Sequence, residues 1–282
     1  MTERLYQKIK NIALNIFYSL QYSIRDTIRH DGIEHAGYLA FLFILSLFPF
    51  LIFLVSIASI IGNLDIGTHL TSALIDSIPE KFLSAVKPRI EEITSGPPQS
   101  VLTIAFIGII WTASSAVEGI RTILNRAYRV SYPPHYVWRR LLSIFQFIIF
   151  VLIIILIATS FVTFSIFSIF DFFDINNNWI FLKKIIISFI SIKIIAFIYY
   201  IIPNSKQQIK DTLPGSIICV ILFWLILQLF MLYLQNFNQF NLLYGSLAGI
   251  IATLMFFFLV GLAFITGAEF NYHFNRKTYA KK

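Results

Sequence analysis

From Tyr38 to Ile61 the chain runs without a charged side chain. About 20 mostly apolar residues are enough to cross the hydrocarbon of a bilayer as a helix. Uncharged runs recur at 101–117, 141–170, 215–234 and 247–268, and a further apolar run, 179–202, is interrupted by lysines. They show neither the alternation nor the turn signals of strands, so they read as helices. In hydrocarbon a helix also satisfies its own backbone within one segment. Hydrophobic residues make up 57% and charged residues 13%, where a soluble domain carries about 25% charged. Too few charges remain to clothe a soluble domain, which excludes a water-soluble enzyme, a disordered chain and a disulfide scaffold. Cys219 is the single cysteine, so no intrachain disulfide and no cysteine metal site forms. The expected fold is all-α: a polytopic membrane protein of six transmembrane helices, with an N-terminal amphipathic helix and a short extracytoplasmic helical segment.

Charge orients the spans. The net charge of +8 lies between the apolar runs. Segment 118–140 carries Arg121, Arg126, Arg129, Arg139 and Arg140 against Glu118 alone. Segment 62–98 holds three basic and five acidic residues, and 171–178 only Asp171 and Asp174. Lys and Arg mark cytoplasmic loops. Both termini are therefore expected in the cytoplasm of a bacterial inner-membrane, multi-pass protein. Three regions follow: a cytoplasmic amphipathic arm, 1–37; a bundle, 38–268, with extracytoplasmic segment 62–98; and a basic cytoplasmic tail, 269–282.

The arm repeats Leu5, Ile9, Ile12, Ile16, Leu20, Ile24 and Ile28 at helical spacing, with Arg4, Lys8 and Lys10 near its start. The pattern suits a basic amphipathic helix on anionic headgroups and equally a helix packed under the bundle. Segment 62–98 predicts two short helices, broken by Pro79 and Pro88 and closed by Gly96-Pro97-Pro98.

Lys193 is the deepest charge, about 13 Å along the fourth span from Ile202 at 1.5 Å per residue. A cation at that depth is either functional or a lysine that snorkels toward water. Glu118 and Glu269 close inward-running spans, and Glu118 has Arg121 and Thr122 within one helical turn. Pro49 interrupts the first span and frees a backbone carbonyl. Gly245, Gly249 and Ala252 form a small-residue face for helix packing. His30-Asp31 and Glu34-His35 give i,i+4 pairs without a third and fourth ligand, so no metal is expected. No Walker loop, GxSxG or HExxH occurs. The cytoplasmic loops do not supply the clustered ligands of a nuclease.

An ordered set of short motifs runs through the chain. Asp31-Gly32 leads through Ala36-Gly37-Tyr38 to Leu45-Ser46-Leu47-Phe48-Pro49. Leu124-Asn125-Arg126-Ala127-Tyr128, Ile202-Pro203-Asn204, Leu213-Pro214-Gly215, Tyr244-Gly245-Ser246-Leu247 and Gly267-Ala268-Glu269-Phe270-Asn271 follow. In that order and spacing, from about residue 20 to about 275, the chain resembles the YihY/BrkB family of bacterial inner-membrane proteins. The resemblance implies six spans with both ends cytoplasmic. It also implies that the family's old ribonuclease BN label is a misassignment, and that some members are tied to serum resistance or suspected of moving envelope lipids. It carries no catalytic residues. With Lys193, which belongs to none of these motifs, the substrate-path or structural candidates are Asp31, Pro49, Asn125, Arg126, Asn204, Tyr244, Gly245, Glu269 and Asn271.

The expected function is a transporter or lipid-translocating protein of the envelope, with no enzyme activity and no cofactor. Its expected partners are membrane lipids, with anionic headgroups met by the five arginines; nucleic acid is not expected, and a homo-oligomer is allowed. A non-transporting membrane scaffold in envelope assembly is the alternative. A polar route joining Lys193, Gln228, Ser114 and Ser115 would favour transport.

Overall fold

The computed structural model describes residues 2–61, 107–166, 179–205, 207–235 and 246–279. Among them the fold is helical, without strands. The helices are α1 (Thr2–Arg29), α2 (Gly32–Ile61), α3 (Ser115–Ala127), α4 (Tyr136–Ile166), α5 (Trp179–Ile201), α6 (Ile209–Gln235) and α7 (Ser246–Tyr279). A helical stretch, 107–113, precedes α3 across a turn at Ser114.

The apolar runs became helices, with altered ends. Helix α5 stops at Ile201 because Ile202 precedes Pro203, and a residue before proline disfavours the helical region. The run 247–268 does not stop at Glu269: α7 continues through the polar tail to Tyr279. The second run is broken at Ser114 rather than continuous to 117. Three helical stretches are long and apolar enough to cross a membrane: Tyr136–Ile154, Ile209–Gln235 and Gly249–Arg276. Gly32–Leu47 and Ile185–Ile201 are shorter apolar helices. The helices expected in 62–98 lie outside the described residues.

The chain folds as two compact units. Unit 1 comprises Met1–Phe41, Gly119–Pro134 and Ile180–Lys282; unit 2 comprises Leu42–Glu118 and His135–Trp179. In unit 1, α7 packs along both α6 and α1. The α6–α7 approach depends on paired glycines. A Cβ on Gly267 would lie 2.7 Å from the Gly215 carbonyl oxygen, and one on Gly215 would meet the Gly267 carbonyl in turn. The small-residue face expected at Gly249 is not such a contact: a Cβ there meets nothing within 4 Å, and Gly245 lies outside the described residues. Helix α1 turns toward α7 a ridge of Ser19, Ser23 and Thr27, all buried.

Unit 2 has an aromatic core in which the Phe53 and Phe147 rings lie 5.3 Å apart beside buried Val151. Its polar centre gathers where the Ser114 turn interrupts the helix. The Trp111 carbonyl there accepts from Ser114 Oγ at 3.0 Å, Ser115 Oγ at 3.0 Å and Arg140 Nη2. The Arg140 guanidinium also stacks 4.2 Å from the Trp111 ring centre. Glu118 pairs with Arg139 at 2.9 Å and accepts from Ser143 Oγ at 2.6 Å. These two partners lie on α4 and not one turn along the same helix.

Candidate functional site

The polar residues of unit 1 concentrate at two chain corners and on the polar part of α7. The first corner joins α1 to α2. Asp31 there has φ 56°, and its carbonyl accepts from the His35 amide at 2.9 Å. The second ends α3 in a Schellman motif. The Arg129 amide donates to the Arg126 carbonyl at 3.0 Å and the Val130 amide to that of Asn125 at 2.8 Å. Arg129 occupies the left-handed position of that motif, φ 56°, where glycine is usual. Asp31 and Arg129 are the two non-glycine residues with positive φ among the described residues. Both strained positions carry a charge that reaches another helix.

Arg129 is the hub. Its guanidinium donates to both oxygens of Glu269, at 2.8 and 2.9 Å, and to Asp26 at 3.3 Å. It also lies 3.1 Å from His30 Nδ1 and 4.8 Å from the Tyr272 ring centre. Burial pulls its pKa down, but the hydrogen bond and charge of Glu269, with Asp26 behind, raise it overall. Arg129 is therefore a fixed positive charge. On the far side of Asp26, His273 Nε2 sits 2.9 Å from the carboxylate. The Arg126–Asp31 pair, at 2.5 Å, lies at the rim with each side chain about half exposed.

Two amide clasps flank this network. Asn125 Nδ2 donates to Asn204 Oδ1 at 3.0 Å, while the Asn204 amide donates to Asn125 Oδ1 at 2.7 Å. Asn271, fully buried, accepts from the Gly215 amide at 2.6 Å. It donates to the Thr212 carbonyl at 3.1 Å and to Tyr128 Oη at 3.2 Å. It thereby supplies hydrogen bonds where Pro214 disturbs the first turns of α6. Burial pushes the Tyr128 phenol up, so it stays neutral in this clasp. Buried Arg121 closes α5 by donating from Nη1 to the Ile202 carbonyl at 2.6 Å. That arrangement suits both the open carbonyls and the dipole of a helix C-terminus.

The model of the family described as virulence factor BrkB matches residues 23–282. The chain belongs to that family. A putative ribonuclease-like protein of Bacillus subtilis, YfkH, is 27% identical over 249 residues, covering 86% of this chain and 90% of the relative. A UPF0761 membrane protein of Vibrio vulnificus is 26% identical over 245 residues, covering 86% and 78%. One of Vibrio parahaemolyticus is 26% identical over 282 residues, covering 95% and 86%. No solved structure matches. This BrkB-family chain is a membrane protein, in agreement with its apolar helices.

Of the candidates read from the sequence, the BrkB fold brings Asp31, Asn125, Arg126, Asn204, Glu269 and Asn271 into unit 1, paired as described. Pro49 stands inside α2 in unit 2, away from these pairs in the chain. Tyr244 and Gly245 lie outside the described residues. Lys193 is exposed on α5, its ammonium 5.3 Å from the Phe189 ring centre, and Gln228 is exposed on α6. Ser114 and Ser115 donate to their own helix. Lys193→Leu is expected to change thermal stability by no more than about 0.5 kcal/mol, as for an exposed substitution. Detergent melting curves that drop well beyond this would give Lys193 a buried partner.

Asp26 and His273 were missed by the sequence reading. They and Glu269 place ligand-type atoms within 4.8 Å of one another, a cluster that the loops alone were not expected to supply. The signals were the i,i+4 pairs Asp26–His30 and Glu269–His273. Nothing local told that 247 residues of chain close to bring Asp26 onto His273. Arg129 already holds both Glu269 oxygens and one of Asp26, so a cation would have to displace a guanidinium there.

Proposed function

We propose that the protein is a transporter or lipid-translocating protein of the bacterial inner membrane. In this reading it has six spans, both termini are cytoplasmic, and the Arg129 network is the closure of its cytoplasmic side. One observation carries the reading: charges from α1, the α1–α2 corner, the end of α3 and α7 are joined by ion pairs, with Arg129 shared between Asp26 and Glu269. They grade from the half-exposed Arg126–Asp31 rim to the buried Glu269. A closure must hold the helices together and also release them, and ion pairs at a water-facing end can do both. The pocket beside the network, lined by Thr27, Gly32, His35, Ile123, Arg126 and Glu269, is a half-open cleft with a cavity volume of only about 10 Å³. That is too small for a lipid, so passage requires the network to open.

The five arginines expected to gather headgroups are all engaged within the chain. Arg126 is the most accessible of those in unit 1, which makes it the residue to test. The reading is non-enzymatic, supported by the hold of Arg129 on the carboxylates a metal would need. A scaffold role is the second reading. It is favoured by the exposure of Lys193 and Gln228, which do not line a polar route within unit 1.

The test is transbilayer movement of fluorescent phospholipid in liposomes holding the purified protein, against empty liposomes and Arg126→Ala. Half-exposed pairs are worth only about 0–1 kcal/mol, so this variant keeps its fold. The expected result is movement above the empty control that changes at least several-fold in the variant. No movement with folded protein would reject passive lipid translocation and favour the scaffold.

A further inference from the structure

Helix α1 buries the opposite of what its hydrophobic pattern suggests. Its contact with α7 is made through Ser19, Ser23 and Thr27, which are 0%, 0% and 3% exposed. Phe17, Ile24 and Ile28 are 64%, 48% and 60% exposed. They are seven and four residues apart and so stack on one face of the helix. An exposed row of large apolar side chains on a helix that already has its packing partner marks a surface that something covers.

We infer that this face of α1 lies in the headgroup region of the protein's own membrane and binds anionic lipid. Charge argues for the occupant. Arg25 and Arg29 follow Ile24 and Ile28 of the apolar row by one position, about 100° around the helix, and both are exposed. Of the nearby acidic residues, Asp26 is engaged by His273 and Arg129 and Asp31 by Arg126, which leaves exposed Glu34 on α2 against the two arginines. The outward side of the helix is thus apolar on one strip and positive on the next. Tyr18 lies on the positive strip, and an aromatic ring with a polar tip suits the membrane–water interface. Position argues the same way. Only a two-residue turn separates α1 from α2, whose uncharged run begins at Tyr38. A helix fixed so close to a span, apolar on one strip and basic on its neighbour, has the pattern of an interfacial helix. Each basic residue near an anionic surface adds about 1 kcal/mol. This inference stands whether or not the protein moves lipid.

The test uses the full-length protein in nanodiscs, with an environment-sensitive fluorophore on Phe17→Cys. A second label on Ile24→Cys guards against a local effect of one substitution. Cys219 is buried, which directs the label to the introduced thiol. The expected result is a blue-shifted label quenched by doxyl-lipid at least twice as strongly in phosphatidylglycerol discs as in phosphatidylcholine discs. Arg25→Gln with Arg29→Gln should remove that difference. Equal quenching in both lipids would overturn the anionic preference. Quenching by aqueous iodide and not by doxyl-lipid would overturn membrane contact. Cross-linking between two copies through position 17 in co-reconstituted discs, with no lipid quenching, would show that a second copy covers the face instead.

Discussion

Arg129→Ala is expected to cost about 3 kcal/mol, the lower end for breaking a buried ion pair. The side chain of Glu269 is only 4% exposed, while that of Arg129 is 28% exposed, which places the pair below the fully buried limit. Removing the guanidinium leaves Glu269 and Asp26 facing each other with no fixed cation between them, and His30 loses its contact. The loss is dominated by an uncompensated buried carboxylate rather than by the attraction given up. Two further variants separate the causes. Arg129→Gly relaxes the left-handed backbone but strands the same carboxylates, so it should remain strongly destabilised. Arg129→Lys keeps the charge and loses the two-pronged hold on Glu269, so it should fall between wild type and alanine. Thermal unfolding in a mild detergent reads all three. A glycine variant as stable as wild type would mean that backbone strain, not the ion pair, governs this corner.

Gly267→Ala should be at least as damaging, about 3 kcal/mol, the upper end of the overpacking range. The new methyl would lie 2.5 Å from Tyr199 Oη, 2.7 Å from the Gly215 carbonyl oxygen and 2.9 Å from Cys219 Cβ. None of these yields cheaply. Tyr199 is fully buried, donates to the Phe264 carbonyl at 2.6 Å and packs on the Phe264 ring at 4.8 Å. The Gly215 backbone is pinned by Asn271. Helices α6 and α7 must therefore separate, and the Asn271 clasp goes with them. Gly249→Ala on the same helix meets empty space. It should be neutral or stabilising by up to about 1 kcal/mol, the ordinary helix preference for alanine over glycine. Melting temperatures of the two variants side by side decide the matter. Equal losses would show that helix propensity, not close approach, controls this helix.

The helices were legible because the bilayer imposes length and apolarity on each segment separately. The run at 179–202 became α5 to within a residue. Partner choice was not legible, because it depends on chain closure. Glu118 has charged and polar neighbours on its own helix, yet Arg139 and Ser143 come to it from α4. The motif residues Asp31, Asn125, Arg126, Asn204, Glu269 and Asn271 all make contacts within unit 1, but which pairs with which was not written in the motifs. Asp26, Arg129 and His273 carry the centre of the site. No spacing in the sequence joins them, since Asp26 and His273 are separated by almost the whole chain. The arm shows the opposite failure. Its stripe was evident, and periodicity alone could not tell that small polar residues make the helix contact while Ile24 and Ile28 stay outside.

Unit 1 is assembled from the first 41 residues, a short middle piece and the last hundred or so. During synthesis Asp26 emerges first, Arg129 much later, and Glu269 and His273 almost at the end. Until then Asp26 lacks the partners it takes from Arg129 and His273. The last helix therefore acts as the keystone. A chain cut short before α7 would present Arg129 with no Glu269 and α6 with no Asn271, leaving a half-built unit that quality-control proteases can distinguish from the finished protein.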